Sequence, residues 1–334
     1  MPVEQNPLNG LLVVDKPGRT LPADPSAAAP VSSAPAAAGQ RLWTSHDVVA
    51  RVRRLSGQRR IGHTGTLDPL ASGVLVLCLG TATRLVEYYQ GEAKRYYAEI
   101  MLGAATDTYD AEGRVTATAP VPPLTPAAVE TALAALRGEQ WQEPPAYSAI
   151  KQEGEALYAK ARRGEAVTVS ARRVLFHRLD LLELRAPDRL LLDIECSAGA
   201  YIRSLAHDLG RALGTLAYVD VLRRTRAGAF DEGDAHSLPE IEAAAARGEL
   251  AHLLLPLGER LPLPAVQMGA EHMRQFGYGR QVLLDAALCP PDPDQPLAQV
   301  RDDRGALAGI IRCMAPQDGA AQGAALWKAE KWLA

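Results

Sequence analysis

The segment with the most chemical content is the run from Gly62 to Gly73, which carries one aspartate, Asp68, directly before a proline. Three glycines, a proline and two threonines cannot sustain a helix or strand, so the run predicts a structured loop leading into an apolar strand. A carboxylate on such a loop can act as a nucleophile or stabilise charge without a cofactor. Taken alone, an Asp-Pro pair is more typical of a turn, so the interpretation of Asp68 depends on its surroundings.

The surrounding segments predict an α+β fold built around a mixed or antiparallel sheet. Helix starts are indicated by caps at Thr44 or Ser45, by Thr125-Pro126, and by the Ser237-x-x-Glu240 capping box. Further helices are predicted at 83–89 and 201–213, and strands at 8–16, 74–79, 95–102, 174–184 and 189–196. Because strands and helices do not alternate regularly, a doubly wound α/β fold is not expected.

The chain divides into a large domain, 8–255, and a small module, 262–334, separated by a proline-punctuated boundary. Within the first domain, residues 19–43 are rich in Ala, Pro and Ser and predict a disordered surface loop, since they offer little apolar surface to bury. The second region is short-stranded and punctuated by glycine, which predicts a small β-barrel-like module.

Composition indicates an ordinary globular protein, with 334 residues, 47% hydrophobic, 22% charged and a formal net charge of -3. No apolar run approaches the length of a membrane span, and the N-terminus lacks the features of a signal peptide, so we expect a cytoplasmic protein with no membrane association. The scattered cysteines, Cys78, Cys196, Cys289 and Cys313, form no C-x-x-C pair and predict small core residues, with neither disulfides nor a metal.

A pI near 6.2 does not favour nucleic-acid binding, but the arginines are clustered in the sequence. The clusters are Arg51, Arg53, Arg54, Arg59 and Arg60; Arg172, Arg173 and Arg178; and Arg223, Arg224 and Arg226. Arginine suits bidentate phosphate contact and stacking on bases. Pairing with acidic neighbours on a solvated face explains each cluster equally well, so both interpretations stay open.

Other blocks of the chain place the Asp68 loop in a recognisable context. In chain order they are Asp15-Lys16-Pro17, Thr44-Ser45-His46-Asp47, Lys94-Arg95-Tyr96, Thr106-Asp107-Thr108, Tyr147-Ser148-Ala149-Ile150-Lys151 and Gly199-Ala200-Tyr201-Ile202-Arg203. Together with the Asp68 loop, this ordered set resembles the bacterial tRNA pseudouridine-55 synthase family (the TruB type) over roughly residues 8–230. The C-terminal region resembles, more loosely, the PUA-like RNA-binding module appended to that family.

The resemblance implies an isomerase that converts uridine 55 in the T-arm loop of tRNA to pseudouridine, with no cofactor, no metal and no obligate protein partner. It implies that Asp68 is the catalytic aspartate, that Arg203 pairs with it, and that Tyr96 stacks on the flipped base. Asp68 either attacks the sugar or assists a glycal route. The resemblance also assigns substrate binding to five residues: His63, Tyr201, Lys16, Lys151 and Asp107.

Three other functions remain open at this level: a guide-RNA-dependent synthase acting on ribosomal RNA, a non-catalytic RNA-binding or tRNA-folding protein, and a ribosyl-bond hydrolase. The chain lacks long basic tails, which disfavours the first. The 19–43 segment separates two blocks that are nearly adjacent in the family. Because loop-closure entropy grows only logarithmically with length, we expect the fold to tolerate this insertion.

Overall fold

The computed structural model describes residues 8–19, 42–145, 147, 151–152, 155–156, 163, 170–185, 187–285, 288, 296–314 and 324–334. Most of the predicted disordered loop at 19–43 lies outside these residues, as do Cys289 and the side chain of Lys151. In the described ranges, no helix is long and apolar enough to cross a membrane.

The strands before residue 240 build the larger part of the molecule. They are β1 (Gly10–Lys16), β2 (Ile61–His63), β3 (Ser72–Leu79), β4 (Lys94–Leu102), β5 (Ala104–Thr106), β6 (Val115–Thr118), β7 (Gly138–Gln142), β8 (Lys151–Gln152), β9 (Glu155–Ala156), β10 (Arg172–Arg185), β11 (Arg189–Cys196), β12 (Ala217–Ala227), β13 (Phe230–Asp231) and β14 (His236–Ser237). In the described part of the chain, ten of them form one sheet, whose main path runs β14-β1-β3-β12-β4-β11-β10-β7. The β12–β3 and β1–β14 pairs are parallel and the other pairs on this path are antiparallel, which confirms the predicted mixed α+β architecture.

The helices begin and end where local chemistry places them. They are α1 (Ser45–Ser56), α2 (Val86–Gln90), α3 (Pro126–Leu136), α4 (Ile202–Ala212), α5 (Leu238–Ala246) and α6 (Ala270–Gly277). Thr44 and Asp47 form a capping box at the start of α1, and Gly57 ends that helix in the left-handed conformation (φ 64°). The predicted box of Ser237 with Glu240 likewise starts α5.

The apolar runs of β1 and β3 are buried at every position because both faces of the sheet are covered. On one face, Leu12, Leu75 and Leu77 join the main core with α1, α3 and α4. On the other face, Val13 and Val76 pack with residues of the C-terminal region, including Leu307 and Ile310. The cysteines Cys78 and Cys196 are buried core residues, as predicted, whereas Cys313 is only half-buried.

A separate sheet forms the C-terminal module. Its strands are β15 (Ala265–Gln267), β16 (Val282–Asp285), β17 (Leu297–Arg301), β18 (Leu307–Cys313) and β19 (Ala324–Trp332), in the spatial order β15-β17-β18-β19-β16. Its own core is centred on Trp327, Phe276 and Ile311. Hydrogen bonds from Arg84 to the carbonyl of Trp332 and from Lys331 to the carbonyl of Arg84, 2.7 Å each, tie its last strand to the segment before α2.

The central strand β12 was not predicted from the sequence. It pairs with β4 on one side and β3 on the other, so its backbone is enclosed. Its run of arginines masks the alternation that normally identifies a strand. Arg223 and Arg224 project to opposite faces, and each finds partners inside the protein.

Candidate active site

A bidentate ion pair joins Asp68 to Arg203. Nε of Arg203 donates to one carboxylate oxygen at 2.9 Å, and Nη2 donates to the other at 2.8 Å. The Arg203 side chain is 5% exposed, whereas that of Asp68 is 27% exposed, so the carboxylate reaches the space above the pair. That space is a cavity of about 550 Å³.

Arg203 is held by three further groups besides Asp68. Nη1 and Nη2 donate to the carbonyls of Thr108 and Tyr147, at 3.0 Å each. The carboxylate of Asp110 lies 3.4 Å from Nη1 and is 3% exposed. Burial raises the pKa of Asp110, and Arg203 opposes that rise. The guanidinium therefore balances two carboxylates and cannot swing away without leaving one of them unpaired.

Helix α4 presents Arg203 because its start is clamped by a buried amide. The side chain of Gln142, on β7, donates to the Tyr201 carbonyl at 3.0 Å and accepts from the Tyr201 amide at 2.7 Å. The phenol ring of Tyr201 lines the cavity, and the guanidinium of Arg172 lies over it, 4.6 Å from the centroid. Strand β7, the start of α4 and the guanidinium of Arg172 thus hold Tyr201 in one wall of the cavity.

Strand β4 supplies the aromatic wall. Tyr96 lines the cavity and lies between Ile194 of β11 and Arg224 of β12 in the sheet. Burial raises the pKa of its phenol to about 12, so the hydroxyl is neutral at physiological pH. Lys94, two residues earlier, also lines the cavity, and burial lowers its pKa to about 8. Its ammonium donates to the carbonyls of Gln90 and Glu92.

The Asp68 loop, residues 64–71, is held from below by the segments on either side of the insertion. The buried ammonium of Lys16 donates to the carbonyls of Pro17 and Pro69 at 3.0 Å, and to that of Ala71. Burial lowers the pKa of Lys16 to about 7, and Asp68 and Glu112 oppose that shift. On the far side of the insertion, Ser45 accepts from the Leu67 amide at 2.8 Å and donates to its carbonyl at 3.0 Å.

The structure brings four of the predicted site residues to one cavity: Asp68, Tyr96, Tyr201 and Arg203. Lys16 lies beneath the Asp68 loop, as described above. Asp107 accepts from the amide of Arg114 at 2.9 Å in a neighbouring turn. His63 lies half-buried at the end of β2, with a buried Nδ1 that has no hydrogen-bond partner among the described residues. Burial lowers the His63 pKa, helped by Arg224 and His46.

Sequence reasoning missed Asp110 and Arg224. Asp110 follows Thr106-Asp107-Thr108 by two residues, so a Thr-Asp-Thr-x-Asp pattern was present as a signal. Arg224 had been grouped with possible phosphate-binding arginines. It is 2% exposed and lines the cavity instead.

Most of the clustered arginines are engaged within the protein. Arg51 pairs with Glu242, Arg53 donates to the Ile61 carbonyl, Arg172 to the Gly199 carbonyl, Arg173 pairs with Glu139, Arg178 with Asp180, Arg223 with Asp15, Arg226 with Glu195, and Arg224 donates to main-chain carbonyls. Pairing with acidic neighbours therefore explains five positions, Arg51, Arg173, Arg178, Arg223 and Arg226, whereas the other three arginines donate to main-chain carbonyls. Arg54, Arg59 and Arg60 are exposed, with no ion pair to any described residue.

Comparison with protein families gives two consecutive matches. Residues 53–202 match the N-terminal domain model of the TruB family of pseudouridylate synthases, and residues 203–261 match the C-terminal domain model of tRNA pseudouridylate synthase B. A protein named tRNA pseudouridine synthase B from Arthrobacter sp. (strain FB24) is 38% identical over 93% of this chain and 98% of its own length. One of the same name from Leifsonia xyli is 44% identical over 91% and 92%, and one from Symbiobacterium thermophilum is 50% identical over 71% and 78%.

Among solved structures, the chain is similar in fold to a chain of a Cbf5-Nop10-Gar1 complex, with a TM-score of 0.71 at 22% identity, covering 100% of this chain and 91% of that one. A chain of an H/ACA RNP bound to a substrate RNA containing 2'-deoxyuridine gives a TM-score of 0.68 at 20% identity, covering 100% and 88%.

Proposed function

The chain belongs to the TruB family of pseudouridylate synthases and isomerises uridine in tRNA, and we propose that its target is uridine 55 of the T-arm loop, with Asp68 as the catalytic carboxylate. The observation that carries this assignment is the bidentate Asp68–Arg203 pair facing the cavity. The guanidinium donates to both oxygens of this carboxylate and so fixes its orientation at the cavity. The reaction needs such a group, since the bond between N1 and C1′ must break before a bond between C5 and C1′ can form.

Asp68 can serve this reaction in two ways that use the same ionised group. It can attack C1′ as N1 departs, or it can stabilise charge and take the 2′ proton on the way to a glycal. In both, the detached uracil turns within the pocket and C5 bonds to C1′. In the first route the bond from C1′ to Asp68 breaks as this bond forms, and in the second the proton returns to C2′. The C5 proton then leaves and N1 takes up a proton. A primary deuterium isotope effect at the 2′ position distinguishes the second route from the first.

The walls of the cavity suit a detached planar base. Tyr96 offers a neutral aromatic face on which a base can stack while it turns in its own plane. Tyr201 lines the cavity on the α4 side. A uridine stacked within an RNA loop cannot reach Asp68, so we infer that the nucleotide is flipped out of the loop before the reaction.

We assign the phosphate backbone of the T-arm to the exposed arginines Arg54, Arg59 and Arg60, which form no ion pair with any described residue. His63 and Lys151 keep their predicted role as substrate contacts. The described hydrogen bonds of Lys16 are to the main chain, and Asp107 binds both the amide and the side chain of Arg114 at 2.9 and 3.7 Å, so we propose that both residues act on the substrate through the shape of the loops. We assign RNA binding to the C-terminal module, and propose that tRNA is the only partner required for catalysis.

Tritium release from a T-arm stem-loop that carries 5-tritiated uridine tests the proposal under single-turnover conditions. Wild-type protein should release tritium to water without any guide RNA. The Asp68→Asn variant, which preserves size, should bind the RNA equally well while the rate falls by at least about 10³-fold, since a group acting on the bond itself contributes more than one hydrogen-bond donor.

Each alternative function predicts a different outcome of this experiment. Release of free uracil would identify a hydrolase, and tight binding without tritium release would identify an RNA-binding or tRNA-folding protein. Activity that needs an added guide RNA would identify a guide-RNA-dependent synthase. An equal loss of binding and chemistry in Asp68→Asn would make Asp68 structural and overturn its catalytic assignment.

A further inference from the structure

Arg224 is a buried cation at the centre of the site that the reaction scheme does not use. Its main chain on β12 pairs with Tyr96 of β4 on one side and with Gly73 of β3 on the other. The residue is 2% exposed, yet its side chain lines the cavity. An arginine in this position is costly to bury unless its donors are satisfied.

The guanidinium satisfies those donors on the main chain of the Asp68 loop and the strand that follows it. Nε donates to the carbonyl of Val74 at 2.7 Å, and Nη2 donates to the carbonyl of Gly65 at 3.0 Å. A longer contact, 3.4 Å, joins Nη1 to the carbonyl of Thr66. The first limb of the loop, just before Asp68, is therefore attached to β12 through one side chain.

The same guanidinium reaches the aromatic wall. Arg224 on β12 and Tyr96 on β4 are directly paired across the sheet, so their side chains project from the same face, and both line the cavity. The positive charge of Arg224 opposes the rise in the Tyr96 pKa that burial causes. Arg224 thus binds the loop that carries the carboxylate and lies beside the ring on which the base would stack.

The main chain of Arg224 packs tightly against Gly73 of β3. A Cβ added to Gly73 would lie 2.2 Å from the Arg224 carbonyl oxygen, so the two strands are as close as glycine allows. A Cβ added to Gly65 would lie 3.6 Å from Nη1, against the guanidinium itself. The close packing fixes where the side chain starts, and the carbonyls fix where it ends.

We propose that Arg224 is a positioning residue for the isomerisation, which holds Tyr96 and the first limb of the Asp68 loop in register with each other around the uracil. The inference rests on the proposed function. Breaking and remaking a bond to C1′ requires the base face and the carboxylate to keep their separation while uracil turns. A misplacement of about 1 Å can cost roughly 10²-fold in rate.

The planar fork of arginine explains why this residue type stands here. Its five N–H donors point in fixed directions, so one side chain can bind carbonyls of two segments while it lies beside the Tyr96 ring. A lysine has three donors on one atom and cannot span the same separation. Arg224→Lys therefore keeps the positive charge but removes the planar arrangement of donors that binds the carbonyls.

The neighbouring Arg223 provides a matched control. It lies on the same strand with its side chain on the opposite face, bound to Asp15 at 3.0 Å and to Glu232. Its side chain is 14% exposed. Both arginines have protein partners, Arg224 being buried and Arg223 half-buried, but only Arg224 lines the cavity.

The experiment measures the single-turnover rate at saturating T-arm stem-loop, the Kd for that RNA and the Tm, for wild type, Arg224→Lys and Arg223→Lys. We expect Arg224→Lys to lower the rate roughly 10- to 100-fold with Kd unchanged within about threefold. Arg223→Lys should lower the Tm to a similar extent and leave the rate near wild type. Inactive wild-type protein would refute the proposed function, whereas active wild type with an equally active Arg224→Lys would refute this inference alone.

Two further measurements exclude a purely structural explanation. In a Tyr96→Phe background, Arg224→Lys should cost less than in wild type, because part of its effect passes through the tyrosine hydroxyl. In Arg224→Ala, millimolar methylguanidine should restore part of the rate without raising the Tm. Additive losses in the double variant, together with no rescue, would overturn the proposal. If Arg224→Ala does not fold, the double-variant comparison decides alone.

Discussion

Replacing Arg203 by methionine tests the electrostatics of the site, because the change removes a charge and keeps an unbranched side chain of comparable length. The wild-type side chain donates four hydrogen bonds: two to Asp68 and one each to the carbonyls of Thr108 and Tyr147. It also neutralises Asp110, which is 3% exposed. Removing one partner of a buried ion pair costs about 3–5 kcal/mol, since the other partner is left desolvated and unpaired.

The loss of stability should depend on pH. Burial already raises the pKa of Asp110 and Arg203 opposes that rise, so the variant raises this pKa further. A carboxyl whose pKa is higher in the folded state than in the unfolded chain loses folded-state stability as pH increases between those two values. The free-energy difference between wild type and Arg203→Met should therefore be larger at pH 7.5 than at pH 5.

Urea unfolding followed by tryptophan fluorescence at the two pH values measures this difference. The double variant Arg203→Met/Asp110→Asn is the control, because the amide needs no counter-charge and should recover part of the stability at pH 7.5. Two results would refute the view that an unpaired Asp110 causes the loss of stability. One is a loss of unfolding free energy in Arg203→Met that is equal at both pH values. The other is a double variant that is no more stable than Arg203→Met at pH 7.5.

Three further outcomes follow from other parts of the structure. Burial lowers the pKa of Lys16 to about 7, so above that pH the unfolded chain binds more protons than the folded protein. The free energy of unfolding of the wild type, measured with urea, should therefore rise from pH 7.5 to 9.5, and Lys16→Met should flatten this rise. Gly73→Ala places a Cβ 2.2 Å from the Arg224 carbonyl oxygen at a φ of 99° and should cost at least about 2 kcal/mol, against about 1 kcal/mol for Gly57→Ala, whose Cβ would meet nothing within 4 Å. Replacing residues 20–41 by a short Gly-Ser linker should leave the single-turnover rate within about threefold of wild type, since Lys16 and Ser45 hold the Asp68 loop from either side; a larger loss in a folded variant would give the insertion a working role.

The features predictable from the sequence were those with local causes. The helix α1 follows from the cap at Thr44 and the left-handed Gly57, and the strands β1 and β3 follow from their apolar runs. Asp68 and Arg203 are 135 residues apart, and local chemistry cannot pair them; the ordered blocks of the family led to that pair. Asp110 lies two residues beyond the Thr106-Asp107-Thr108 block and was not singled out, because burial against Arg203 is not a property of the local sequence.

The strand β12 shows why other features were missed. A buried arginine and a solvated arginine look the same in a sequence. They can be told apart only by the groups that each one contacts in the folded protein. Arg223 and Arg224 have partners contributed by segments 150 or more residues earlier in the chain. Whether a cluster of arginines faces phosphate or the protein core is decided by those distant carboxylates and carbonyls, so composition and spacing left both interpretations open.

The apolar packing between the large sheet and the C-terminal module has a consequence for how the protein can be cut or fused. Val13 and Val76 of the large sheet share one cluster with Leu307 and Ile310, so removing residues 262–334 would expose a broad water-repelling face. The module therefore covers apolar residues of the large sheet and shields them from water. A truncated chain should aggregate, and the intact chain should melt in one cooperative transition whose midpoint the two halves share.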